Sequence, residues 1–134
     1  MAAGAVVLVG GTHVVLVRRG RPPLLGHFSL PGGRVEASET PKAAVVREVY
    51  EETGIDVEVV ASIDTVVLEH AGTTFSIDEF LCVPTKGTIE PRAGDDAAEV
   101  AIVPRGELGN YSLTEAVLRV VEKGFALAHA RGLP

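Results

Sequence analysis

The chain has 134 residues, with twelve Lys and Arg against eighteen Asp and Glu and a single cysteine. That length suits one domain over residues 1–134, and a net charge of -6 disfavours a nucleic-acid partner. Cys82 alone excludes an intramolecular disulfide or a four-cysteine zinc site.

No apolar run reaches the roughly 18 residues that a membrane helix needs. The apolar start Met1–Val9 precedes its arginines, the wrong order for a secretory signal. A cytoplasmic protein with no membrane partner is expected. Ala5–Val9 and Val14–Val17 read as two strands joined by Gly10-Gly11-Thr12. Arg18–Gly26, with two prolines and two glycines, reads as a loop. Phe28–Leu30 is a short extended piece that ends at a sharp turn, Pro31-Gly32-Gly33.

Thr40 can cap a helix that has Pro41 at its first position, and Gly54 can end it, about three and a half turns later. Ile55, Val57 and Val59 alternate with acids as a half-buried strand. Ile63–Glu69 and Thr74–Val83 are two further strands around an Ala71-Gly72 turn. Lys86–Asp96 reads as a loop and Val100–Val103 as a short strand. Ser112–Arg131 reads as a second long helix, with Ser112 and Glu115 as a capping box and Leu113, Val117, Val120 and Val121 on its apolar face. Phe75, Phe80 and Cys82 are expected in the strand core. Strands with one helix among them and one at the end imply a layered α/β domain.

The first helix carries the chemistry. At roughly 100° per residue, Glu48, Glu51 and Glu52 share one face, and Ala43, Val45, Val46, Val49 and Tyr50 cover the opposite side as core. Like charges at this spacing repel. Two readings follow: a solvated face, or a site for a hard divalent cation that prefers oxygen ligands.

The stretch from Gly33 decides between them. GRVEASETPKAAVVREVYEETGI places Gly33, Glu39, Arg47, Glu48, Val49, Glu51, Glu52, Gly54 and Ile55 at the spacing G-x5-E-x7-R-E-U-x-E-E-x-G-U, where U is aliphatic. Nine constrained positions over twenty-three residues make this the Nudix box, and the chain resembles the Nudix (MutT-like) hydrolases. The resemblance implies an α/β/α sandwich with a mixed sheet. It also implies hydrolysis of a nucleoside diphosphate linked to another group, with Mg²⁺ or Mn²⁺.

Carried onto this chain, the resemblance makes Glu48, Glu51 and Glu52 metal ligands and the carbonyl of Gly32 a backbone ligand. Glu39 is a supporting or outer ligand, and Arg47 orients a catalytic carboxylate. Glu52 is the candidate general base within the box; Asp95, Asp96 and Glu99 are the candidates outside it. Arg18, Arg19 and Arg21 form the dense basic cluster, and Arg18 and Arg19, with Phe28, Asp95, Asp96 and Glu99, are the substrate-binding candidates.

Short flanking pieces, LVRRGRPPLLGHFSLPGG before the box and AGDDAAEV, VPRGEL and SLTEA after it, resemble the small bacterial ADP-ribose pyrophosphatase-like group. That implies ADP-ribose or a related ADP-sugar as substrate. Members of that group often carry a proline where Ala71 stands, which keeps nucleoside triphosphates open as the alternative. A nucleotide-sugar sensor without turnover is the alternative of another class, and the intact Glu48, Glu51 and Glu52 set argues against it. The expected partner is a small nucleotide, and a homodimer stays open.

Overall fold

The computed structural model describes the chain except residues 21–24, 87–88, 95–96 and 134, and except the side chains of Leu68, His70 and Ala98. Arg21, Asp95 and Asp96 therefore lie outside the described residues.

The strands are β1 (Ala2–Val9), β2 (His13–Arg19), β3 (Phe28–Ser29), β4 (Gly32–Arg34), β5 (Val57–His70), β6 (Thr73–Pro84) and β7 (Ala97–Pro104). The helices are α1 (Pro41–Thr53) and α2 (Glu115–Ala130), and a 3-10 turn spans Arg105–Tyr111. The seven strands form one mixed sheet, ordered β3-β2-β1-β6-β5, with β4 joined to β1 and β7 to β2. β1 and β6 run parallel; the other pairs are antiparallel.

Both faces of β1 are covered, which is why it reads as an unbroken apolar run. Ala3, Ala5 and Val7 pack with Val45, Val49, Phe80 and Cys82 on the α1 side. Val6 and Leu8 pack with Leu81, Val120, Val121 and Phe125 on the α2 side. The sheet is thus sandwiched between two helices, as the sequence implies. No helix among the described residues is long and apolar enough to cross a membrane.

Several local expectations need correction. Pro31-Gly32-Gly33 is not a turn, because Gly32–Arg34 pairs with Ala2–Gly4 as β4. A Cβ on Gly32 would lie 2.3 Å from the Ala3 carbonyl oxygen, so only glycine lets the two backbones approach. Arg18 and Arg19 belong to β2, not to a loop. The two strands expected across residues 55–69 are one strand, β5, kept continuous by bulges between Val59 and Ala61 and between Ser62 and Asp64.

The second helix starts later than expected. Thr114 caps it by accepting from the Val117 N–H at 3.2 Å, and Ser112 sits in the left-handed region at the end of the 3-10 turn. On α1 the buried residues are Ala44, Val45, Val49 and Thr53. Ala43, Val46 and Tyr50 are exposed. The core stripe is therefore narrower than the sequence suggested. Phe75 is also exposed, because it lies near the tip of the β5–β6 hairpin, whereas Phe80 and Cys82 are buried. Burial pushes the Cys82 thiol up to about 12, so it is inert.

Candidate active site

The helix that carries the acids is held at both ends by its own sequence. The Thr40 side chain accepts from the Ala43 N–H at 3.1 Å, and Pro41 opens the first turn. At the other end Gly54 is left-handed, with φ 74°, and donates its N–H to the Tyr50 carbonyl at 2.8 Å. The buried Thr53 hydroxyl donates to the Val49 carbonyl and accepts from the Ile55 N–H.

The segment before β7 satisfies two more of the end carbonyls. Arg92 N–H donates to Thr53 O and Gly94 N–H to Glu52 O. A Cβ on Gly94 would fall 1.7 Å from Glu51 O, so this contact also requires glycine. Gly94 was not foreseen as part of the site. It adjoins Asp95 and Asp96, which lie outside the described residues.

Arg47 is the hub of the acidic face. Its Nε and Nη2 grip both oxygens of Glu39 at 2.7 and 2.8 Å. Nη1 donates to Glu48 at 2.9 Å and to Glu51 at 3.3 Å, and Nη2 also donates to the Arg34 carbonyl at 3.1 Å. All five guanidinium N–H groups are thereby used. The Arg47 fork and the Glu36 backbone N–H hold the Glu39 carboxyl down at about 2, and Glu39 in turn raises the Arg47 pKa. Glu39 is therefore a brace, and both of its carboxylate oxygens already have partners. The fourth acid, Glu52, accepts from the Gly32 N–H at 2.8 Å, which ties the end of α1 to β4.

Glu39, Glu48 and Glu51 thus gather on one arginine, and Glu52 is anchored separately. Among the described residues no three acidic, histidine or cysteine side chains already converge as a cation cage. The donor set still suits a hard cation, being carboxylate oxygens and a backbone carbonyl. The fold also makes room for one of these donors: a Cβ on Gly33 would lie 2.6–2.7 Å from the Glu48 carboxyl, so that carboxyl occupies the room a side chain would take.

The other candidates are dispersed. Arg18 pairs with Glu99 at 3.1 Å across the β2–β7 ladder, so each neutralises the other. Arg19 continues the same strand next to a register shift. Phe28 packs edge-to-face on Tyr111 with ring centroids 4.9 Å apart, as part of the α2-side core. His27 is exposed.

One unforeseen residue stands out. Glu79 on β6 is only 7% exposed, and its Oε2 has no hydrogen-bond partner among the described residues. The signal was in the sequence: Asp78 and Glu79 are adjacent in a strand, and strand alternation must turn one of them inward.

Comparison with known proteins gives the family of the chain. The NUDIX domain profile matches residues 1–123. A candidate 8-oxo-dGTP diphosphatase of Mycobacterium tuberculosis is 48% identical over 58 residues, 42% of this chain and 40% of that one. An ADP-sugar pyrophosphatase of Mus musculus is 31% identical over 136 aligned positions, 90% of this chain and 62% of that one. The chain therefore matches less than two thirds of the length of either relative. Among solved structures, a MutT NUDIX hydrolase from Burkholderia pseudomallei superposes with a TM-score of 0.74 at 27% identity, covering 91% of this chain and 95% of that one.

Proposed function

The chain belongs to the Nudix family, and from that premise we propose that it hydrolyses a nucleoside diphosphate linked to a second group. The substrate class is ADP-ribose or a related ADP-sugar, and the products are AMP and a sugar phosphate. The observation that carries this reading is the acidic face of α1, with Arg47 bracing Glu39, Glu48 and Glu51 and β4 fixing Glu52.

Glu48, Glu51 and Glu52, with the Gly32 carbonyl, would hold Mg²⁺ or Mn²⁺. Bound there, the ion would polarise phosphoryl oxygens and lower the pKa of an attacking water. Arg47 limits the repulsion among the acids and fixes the orientation of Glu48 and Glu51. Glu39 fixes Arg47 in turn. Glu52, aimed by the Gly32 N–H, is the group assigned to take the proton from water. Positioning and charge compensation then supply most of the rate, as expected for phosphoryl chemistry.

The ADP-sugar assignment draws on the mouse relative, whose alignment runs over nearly the whole chain. A second reading, cleavage of a nucleoside triphosphate to a monophosphate and pyrophosphate, draws on the mycobacterial relative. Product analysis with Mg²⁺ across ADP-ribose, ADP-glucose, NADH, dATP and oxidised dGTP tests both. AMP and ribose 5-phosphate from ADP-ribose support the first. Pyrophosphate from a triphosphate alone supports the second. Tight nucleotide binding with no turnover of any would replace both with a sensor.

A further inference from the structure

Glu79 has no part in the chemistry above, yet burying an unpaired carboxyl is costly. Its head group lies over Gly4: a Cβ there would be 2.6 Å from Oε1 and 2.8 Å from Oε2. Glycine at position 4 is therefore what makes room for the carboxyl. Gly4 pairs with Glu79 on one side and with Gly32 on the other, and Gly32 donates to Glu52. Glu79 thus stands two strand spacings, about 10 Å, from the strand that anchors the acidic end of α1.

Glu79 is one of the residues lining a cleft of about 440 Å³ at the β5–β6 bulges, with Asp64, Thr65 and Asp78. The other two acids of this cleft are already engaged. Asp64 accepts from Lys123 of α2 at 2.5 Å, and Asp78 accepts from the Thr65 hydroxyl at 2.9 Å. Glu79 alone of the three has a buried oxygen without a partner.

We propose that Glu79 is a specificity-determining residue that recognises the part of the substrate beyond its phosphates, its carboxyl accepting hydrogen bonds from paired donors. Such donors are the N–H edge of a nucleobase or the vicinal hydroxyls of a ribose. The inference rests on the proposed function for its phosphate end. With the phosphates at the acidic face of α1, the remainder of the substrate needs to span about two strand spacings, roughly 10 Å, to meet Glu79. A carboxyl with a lone pair to spare rewards a donor there, and it penalises a substrate that brings an acceptor.

The test is calorimetric binding of AMP, GMP and ribose 5-phosphate to the wild-type protein, Glu79→Gln and Gly4→Ala. The atoms nearest to the Gly4→Ala methyl are the movable end of Glu79, so it displaces the carboxyl without removing it. At least tenfold weaker binding of a probe by both variants, each folded by circular dichroism, is the expected result. Loss confined to AMP or GMP assigns the base to Glu79, and loss that extends to ribose 5-phosphate assigns the sugar. In turnover of whichever substrate the product analysis identifies, KM should rise at least tenfold while kcat stays within about twofold. A purely structural Glu79 would not produce that split. Unchanged affinity for all three probes, or no binding of any by the wild type, overturns the proposal. A wild type that binds probes but hydrolyses nothing would sink the proposed hydrolysis and leave the Glu79 binding result standing.

Discussion

Replacing Glu79 by Gln should stabilise the protein, and by an amount that depends on pH. Burial, and then the neighbouring Asp78 charge, push the Glu79 carboxyl up from its ordinary 4.5 to about 7. The sign follows from proton binding. Below pH 4.5 the acid is protonated in both folded and unfolded chains and costs nothing extra. Between 4.5 and 7 the unfolded chain ionises first, so the native state loses stability as pH rises. Above 7 the loss is complete. A change from 4.5 to about 7 corresponds to about 3 kcal/mol at 1.36 kcal/mol per pH unit. Glutamine keeps the volume and removes the charge. Urea denaturation should therefore find Glu79→Gln close to wild type at pH 4.5 and more stable by about 3 kcal/mol at pH 8.5. Parallel stabilities at the two pH values, or a less stable variant at pH 8.5, would refute the burial of an ionising, unpaired carboxyl.

Three further outcomes follow from the site. Lys at position 47 cannot reproduce the five-donor fork, so Arg47→Lys should lower turnover about 10–100-fold with the fold intact by circular dichroism. In a carbon-detected NMR titration Glu39 should hold its charge down to about pH 2, and in Arg47→Lys that midpoint should move up. Its depressed pKa supports the native state above the ordinary carboxylate range, and that support is lost as pH falls through about 2. Gly94→Ala should destabilise the protein by about 1–3 kcal/mol, because its methyl meets the Glu51 backbone, which cannot give way. Thermal unfolding would measure that loss.

The legible parts of this fold were those written in local rules. Thr40, Pro41 and Gly54 bound α1 by capping chemistry that needs no tertiary context, and the structure places all three as expected. Helical periodicity likewise assigns Glu48, Glu51 and Glu52 to one face of α1. β4 was illegible because a Gly32-Gly33-Arg34 strand has no side-chain alternation to read. Its existence depends on how closely it approaches β1, a long-range fact. The late start of α2 has a similar cause: Ser112 and Thr114 both precede Glu115 and could each cap it, and the 3-10 turn before them decides for Thr114.

At the site, the family resemblance implies a positioning role for Arg47 but not how its N–H groups are divided. That Glu39 takes two of its N–H groups depends on the 36–39 turn, in which the Glu39 N–H donates to the Glu36 carbonyl. By sequence Arg18 and Glu99 are separate substrate-binding candidates, and it is the β2–β7 register that pairs them with each other. Glu79 went unread because a strand acid looks like solvated polarity until its neighbour, Gly4, shows where the carboxyl lies.

In the proposed function, the acids of α1 carry out metal-dependent hydrolysis. Its most direct test is the rate of ADP-ribose cleavage by wild type and Glu52→Gln, each with Mg²⁺ and with the metal chelated. Turnover should require Mg²⁺, and with Mg²⁺ Glu52→Gln should be slower than wild type by orders of magnitude at nearly unchanged substrate affinity. Equal rates for the two proteins, or a rate indifferent to chelation, would contradict it.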